Sequence, residues 1–184
     1  MQWGLLSGCL ALLSLPAHAL ACWDKAAQRY GVSSQLLYAV AKVESNLNPK
    51  ALNLSHRQRT GSYDIGLMQI NSSNLPALAR FGITESDLYS PCTNIHVGAW
   101  LLAQTLARQG LSWDGIGAYN ATCTQLKGAA CQSARRRYAW KVYRQLASSA
   151  TQSTRPETGK AAQRPRDPSD TKPAPFILAA RVSP

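Results

Sequence analysis

Between residues 22 and 147 the apolar side chains recur at the three-and-four spacing of a helix, and no pair of runs alternates as a strand hairpin would. A chain patterned in this way buries its apolar stripes by packing helix on helix, so an all-α domain is expected. A short helix over 24–30 ends at Gly31, and Ser33 or Ser34 caps a second over about 35–45. A polar, basic loop broken by Pro49 and Gly61 covers 46–63, and 66–70 make a short apolar turn. Helices follow over 75–81, 85–88 and 92–109; the last carries Ile95, Ala99, Leu102 and Leu106 on one face and stops at Gly110. Ser112 caps a helix to about Ala118, and Ser133 a basic one to about Leu146. Trp100, Trp113 and Trp140 read as core residues. There is no internal repeat.

The two ends differ from this middle. Residues 1–21 hold no Lys, Arg, Asp or Glu, and an apolar run over 5–15 precedes small residues in A-x-A spacing, Ala17-His18-Ala19 or Ala19-Leu20-Ala21. That is the pattern of an export signal, lacking only the usual positive charge at its start. The run is shorter than the ~20 residues a membrane-spanning helix needs. A lipid anchor on Cys22 is disfavoured, because Ala19-Leu20-Ala21-Cys22 has Ala where a lipobox prefers Leu. Leu6-Ser7-Gly8-Cys9 lies too early for any apolar region to precede it. From Ser148 onward, six of the ten prolines occur among Ser, Thr, Gln and scattered charges, and Phe176 is the single aromatic. Such a segment buries too little apolar surface to offset its ordering entropy, so 148–184 is expected to be a disordered tail. One domain, 22–147, remains.

Cleavage near Cys22 leaves four cysteines, an even number in an exported chain, and hence disulfides in one of three pairings. Cys123 and Cys131 flank a short loop containing Gly128 that can fold back on itself, which leaves Cys22 for Cys92. Zinc is disfavoured: there is no C-x-x-C, and the mature chain has only His56 and His96. The net charge is +11, with fourteen Lys/Arg against six Asp/Glu in 22–147. A basic surface suits nucleic acid, anionic lipid or an acidic polymer. Export removes nucleic acid as a partner and leaves the bacterial wall, with its lactyl and peptide carboxylates.

Glu44 is the most informative residue. It follows Leu37, Val40 and Ala41 by seven, four and three positions and so shares their core-facing stripe. A carboxylate there is costly unless it is paired, or unless a raised pKa is put to use as a proton donor. The bland alternative is a helix-end side chain that tips into solvent.

The string Ala41-Lys42-Val43-Glu44-Ser45-Asn46-Leu47-Asn48-Pro49-Lys50 is followed by Asp64-Ile65-Gly66-Leu67-Met68-Gln69-Ile70-Asn71, then by Asn94-Ile95 with Gly98, and by Ala118-Tyr119-Asn120. In this order and spacing the set resembles the soluble-lytic-transglycosylase domain, a relative of goose-type lysozyme, over essentially all of 22–146. The Asp64–Asn71 string, Pro91-Cys92 and Gly98-Ala99-Trp100 are most similar to the small members that accompany type III secretion, conjugation and type IV pilus machines. The resemblance implies a lysozyme-like α domain, a periplasmic location, and peptidoglycan glycan strands as substrate, with no metal or organic cofactor. It assigns Glu44 as the single catalytic residue and Ser45 beside it, with Met68 and Gln69 facing sugar. Tyr119 is placed near the catalytic carboxyl and Asn120 behind it. Where many relatives carry a Ser that touches an N-acetyl group, this chain has Asn53, whose amide can also donate. Met68 is equally well placed for core packing, and Tyr119 for a buried hydroxyl contact.

Ordinary glycosidases need two carboxylates. Of Asp24, Asp64, Glu85, Asp87 and Asp114, only Asp64 adjoins a cleft motif. The reaction implied by the resemblance needs no second one, since Glu44 serves as acid and then base and the product carries a 1,6-anhydro ring. The alternatives are a lysozyme-type hydrolase and a non-catalytic wall-binding subunit of an envelope-spanning machine. The joint presence of Glu44, Gln69 and Tyr119 favours an enzyme.

Overall fold

A computed structural model describes residues 17–153, with side chains over 22–148. The apolar run of the expected leader, and the tail beyond Ser153 with its Phe176-Ile177-Leu178 triplet, lie outside the described residues. Within them the chain is mainly helical: α1 (Ala17–Tyr30), α2 (Ser34–Ser45), α3 (Arg57–Thr60), α4 (Leu75–Ala79), α5 (Pro91–Gln109), α6 (Trp113–Asn120) and α7 (Gly128–Ser153). α5 runs through the middle, with α1 on one side and α6 on another, and α7 packs on both α6 and α2.

Local chemistry explains the elements that matter for the site. Ser33 in extended conformation caps α2, its Oγ accepting from the Leu36 amide at 3.4 Å. Leu37, Val40 and Ala41 then form the buried stripe. The helix ends where Asn46 and Leu47 both turn left-handed (φ 55° and 64°), their amides donating back to Lys42 and Ala41 carbonyls. In α5, Ile95, Ala99, Leu102 and Leu106 are all buried, as their spacing predicts. The fully buried centre joins Leu37 and Val40 of α2 to Ile95 and Leu102 of α5 and Val142 of α7, with Met68 and Ile70 between.

Both disulfides form as expected. Cys22–Cys92 ties α1 to the first turn of α5, and Cys123–Cys131 ties the loop after α6 to the start of α7.

Three expectations need correction. The loop over 46–63 and the turn after it contain a small antiparallel sheet, β1 (Leu52–Asn53), β2 (Asp64–Ile65) and β3 (Ile70–Asn71), in that order. Two-residue strands are too short to show alternation. Second, Ser133 does not cap the last helix. α7 begins at Gly128, held by the adjacent disulfide, and Ser133 Oγ accepts from Arg137 Nη1 at 2.6 Å inside it. The helix also continues past Ser148, where the composition changes. Third, Trp113 and Trp140 are 47% and 58% exposed and flank Tyr143, Trp140 stacked on it at 5.1 Å. Trp100 does pack against the core.

Candidate active site

α2 delivers Glu44 to a cavity of about 220 Å³ that Asn120, Ala134, Arg137, Tyr138 and Lys141 also line. The stripe that buries Leu37 and Val40 has only one place for Glu44, against α7. There Tyr138 Oη donates to Glu44 Oε1 at 2.5 Å. Burial pushes the Glu44 pKa up from an ordinary 4.5 to about 7; the Tyr138 hydrogen bond opposes the rise, the Asp64 charge adds to it, and Lys141 opposes it. Near neutrality the side chain is therefore divided between acid and carboxylate. Tyr138 and Tyr119 are driven well above the ordinary tyrosine range, mainly by burial and then by the Glu44 charge, so both remain neutral donors.

Beside Glu44 the turn over 66–69 is held from several directions. Ser45 Oγ donates to the Leu67 carbonyl at 2.7 Å, and Tyr119 Oη to the Met68 carbonyl at 3.0 Å. Asn94, fully buried on α5, accepts from the Met68 amide at 2.7 Å and donates to the Ile65 and Leu88 carbonyls. Gly66 (φ 75°) has to be glycine, since a Cβ there would lie 2.2 Å from Asn94 Nδ2. Gly98 makes room for Met68, whose sulfur would sit 2.3 Å from an added Cβ. Gln69 is also left-handed (φ 49°) and donates from Nε2 to the Gly66 carbonyl at 2.9 Å. A non-glycine residue held in this region is strain that the surrounding bonds over-determine.

The sheet sets a second group. Its register aligns Asn53 with Asp64 and Asp64 with Asn71. Both asparagine amides donate to Asp64, at 3.2 and 2.8 Å, and His56 Nε2 donates to it at 2.7 Å. Asp64 is thus immobilised, yet its charge reaches Glu44.

The residues expected at the site divide accordingly. Glu44 and Asn120 face the cavity. Ser45, Gln69 and Tyr119 bind the backbone of the turn, Met68 is fully buried with its side chain in the core, and Asn53 is held by Asp64 and the Ser55 amide. Reasoning from sequence missed Tyr138 and the clamping role of Asn94; it reads Arg137 and Lys141 as part of a solvated basic face, and they are exposed while also lining this cavity. One signal was present: Tyr138 stands four residues before Val142 on the apolar stripe of α7, so its hydroxyl needed a buried partner. A larger depression of about 580 Å³ lies by the Cys123–Cys131 loop, where Arg135 already pairs with Asp114 at 2.8 Å. Among the described residues no cluster of His, Cys, Asp and Glu could hold a metal ion.

Fold and site together define a small, disulfide-tied helical domain built around one desolvated glutamic acid. The Transglycosylase SLT domain profile matches residues 21–141, and the chain belongs to that family. Invasion protein IagB of Salmonella typhi is 39% identical over 139 residues, covering 73% of this chain and 82% of that protein. Protein IpgF of Shigella flexneri is 38% identical over 133 residues, covering 72% and 83%. An inactive mutant of the lytic transglycosylase Slt from Pseudomonas aeruginosa shares the fold, with a TM-score of 0.56 at 21% identity. That match covers 77% of this chain and 25% of the other.

Proposed function

We propose that the chain is a periplasmic lytic transglycosylase that cuts the β-1,4 bond between N-acetylmuramic acid and N-acetylglucosamine in peptidoglycan. The observation that carries this reading is Glu44: a carboxyl with a pKa near 7, hydrogen-bonded by a neutral tyrosine and opening into a cavity. Such a group can give a proton and take one back at the same pH. Glu44 protonates the bridging oxygen as the C1–O bond breaks, and the substrate's own acetamido oxygen stabilises the electron-poor C1. The carboxylate then removes the C6 hydroxyl proton while that oxygen bonds to C1. The 1,6-anhydro ring forms without water, and Glu44 ends protonated as it began. Tyr138 supports the ionised interval by donating to the carboxylate. Glu44→Gln should fold and lose activity by at least ~10²–10⁴-fold, since one residue serves both half-reactions.

A lysozyme-type hydrolysis has one observation in its favour, the proximity of the Asp64 charge to Glu44. Asp64 would then position water. Mass spectrometry of muropeptides released from purified sacculi separates the two: anhydro products are one water lighter than reducing-end products. If only the latter appear, the transglycosylase reading fails.

The family match and the relative called an invasion protein support a local role, opening the wall for an envelope-spanning secretion, conjugation or pilus assembly.

A further inference from the structure

Two cations line the Glu44 cavity, and neither passes a proton in the reaction proposed above. Arg137 and Lys141 stand four residues apart on α7, so their Cβ atoms are about 5–6 Å from each other on one face. Both line the cavity, and the small Ala134 in the same stripe leaves space beside them. Among the described residues neither is in an ion pair with an Asp or Glu; the carboxylates that are so placed are Asp114, on Arg135, and Asp64, hydrogen-bonded to His56. Arg137 commits one N–H to Ser133, which holds its guanidinium along the helix. For a general acid Lys141 is a counterproductive neighbour, because it favours the ionised form of Glu44. An anion bound between Arg137 and Lys141 would cancel that effect.

Resting on the glycan-cleaving reading above, we propose that Arg137 and Lys141 form an anion subsite that grips a carboxylate on the muramic-acid arm. The arm leaves C3 of the sugar whose C1 is attacked. Its lactyl carboxyl is about five bonds from C1, hence on the order of 5–6 Å away. When that carboxyl is amide-linked to a stem peptide, the next carboxylates lie about 3.5 Å further per residue. Either source brings a negative charge to the cavity that also holds Glu44. The subsite lets the enzyme read the substituent on the sugar as well as the glycan backbone.

The test measures binding by calorimetry in the Glu44→Gln background, so that neither turnover nor Glu44 ionisation intervenes. Three strands are compared: chitooligosaccharide with no carboxylate, peptide-free glycan with free lactyl groups, and peptide-bearing glycan. Adding Arg137→Gln and Lys141→Gln should weaken binding of a carboxylate-bearing strand roughly three- to tenfold, as expected for partly exposed charge pairs. Binding of chitooligosaccharide should change by less than about twofold. Loss on the peptide-free strand assigns the lactyl group, and loss on the peptide-bearing strand alone assigns the stem. Lys141→Arg should preserve the preference. An equal loss on all three strands, or none on any, overturns the subsite. If Glu44→Gln with both cations intact binds none of them, the glycan-cleaving reading falls and the subsite with it.

Discussion

Replacing Glu44 by Gln should make the protein more stable at alkaline pH, while leaving it almost unchanged near pH 4. The folded protein holds the Glu44 proton up to about pH 7, whereas a carboxyl of ordinary pKa releases it near 4.5. Between those values the folded state binds more protons than the unfolded state, so stability falls as pH rises and levels off above about 7. A rise from 4.5 to about 7 corresponds to roughly 3 kcal/mol. Water entering the cavity and residual charge interactions in the unfolded chain bring the working range to about 1–3 kcal/mol. Gln has nearly the same shape, its amide oxygen can still accept from Tyr138, and it has no charge to desolvate. Urea unfolding of both proteins, disulfides intact, at intervals from pH 4 to 9 measures the difference. The wild-type curve should drop relative to Glu44→Gln between about pH 4.5 and 7. Parallel curves would show that Glu44 is not desolvated, and the argument for its acid role would go with them.

Tyr138→Phe removes a donor that stabilises the carboxylate, so the alkaline limb of the pH–rate profile should move to higher pH; a shift to lower pH contradicts the assigned hydrogen bond. Asn94→Ala leaves the Met68 amide and the Ile65 and Leu88 carbonyls without their buried partner and should cost on the order of 3 kcal/mol in chemical denaturation. Loop closure predicts that removing Cys22–Cys92, which spans 70 residues, costs about 4.4 kcal/mol, against about 2.5 for Cys123–Cys131, which spans 8. Paired Cys→Ala variants compared by thermal unfolding should keep that order.

What the sequence reveals here follows the range of the interaction. α2 and α5 are legible because their stripes, caps and stops lie within one or two turns of each other. Glu44 stands out because it interrupts such a stripe. The disulfides follow from one short loop and elimination. By contrast, the hydrogen bond from Tyr138 to Glu44 joins residues 94 apart, and no local pattern on either helix names the other. The sheet escaped because its strands hold two residues each, and its purpose shows only when Asn53, Asp64 and Asn71 stand in one row. Trp113 and Trp140 misled because an aromatic at helical spacing is usually packed inside, while here each lies against Tyr143 at the surface.

The distance along the chain between Glu44 and Tyr138 also has a meaning in time. A ribosome makes α2 long before α7, and a chain threaded through a narrow channel emerges in the same order. Until α7 docks, the acid has no tyrosine beside it and no cavity around it, and its carboxyl remains in water with an ordinary affinity for protons. Partly made copies therefore hold Glu44 as an ordinary carboxyl. Its raised proton affinity arrives only when α7 packs on α2.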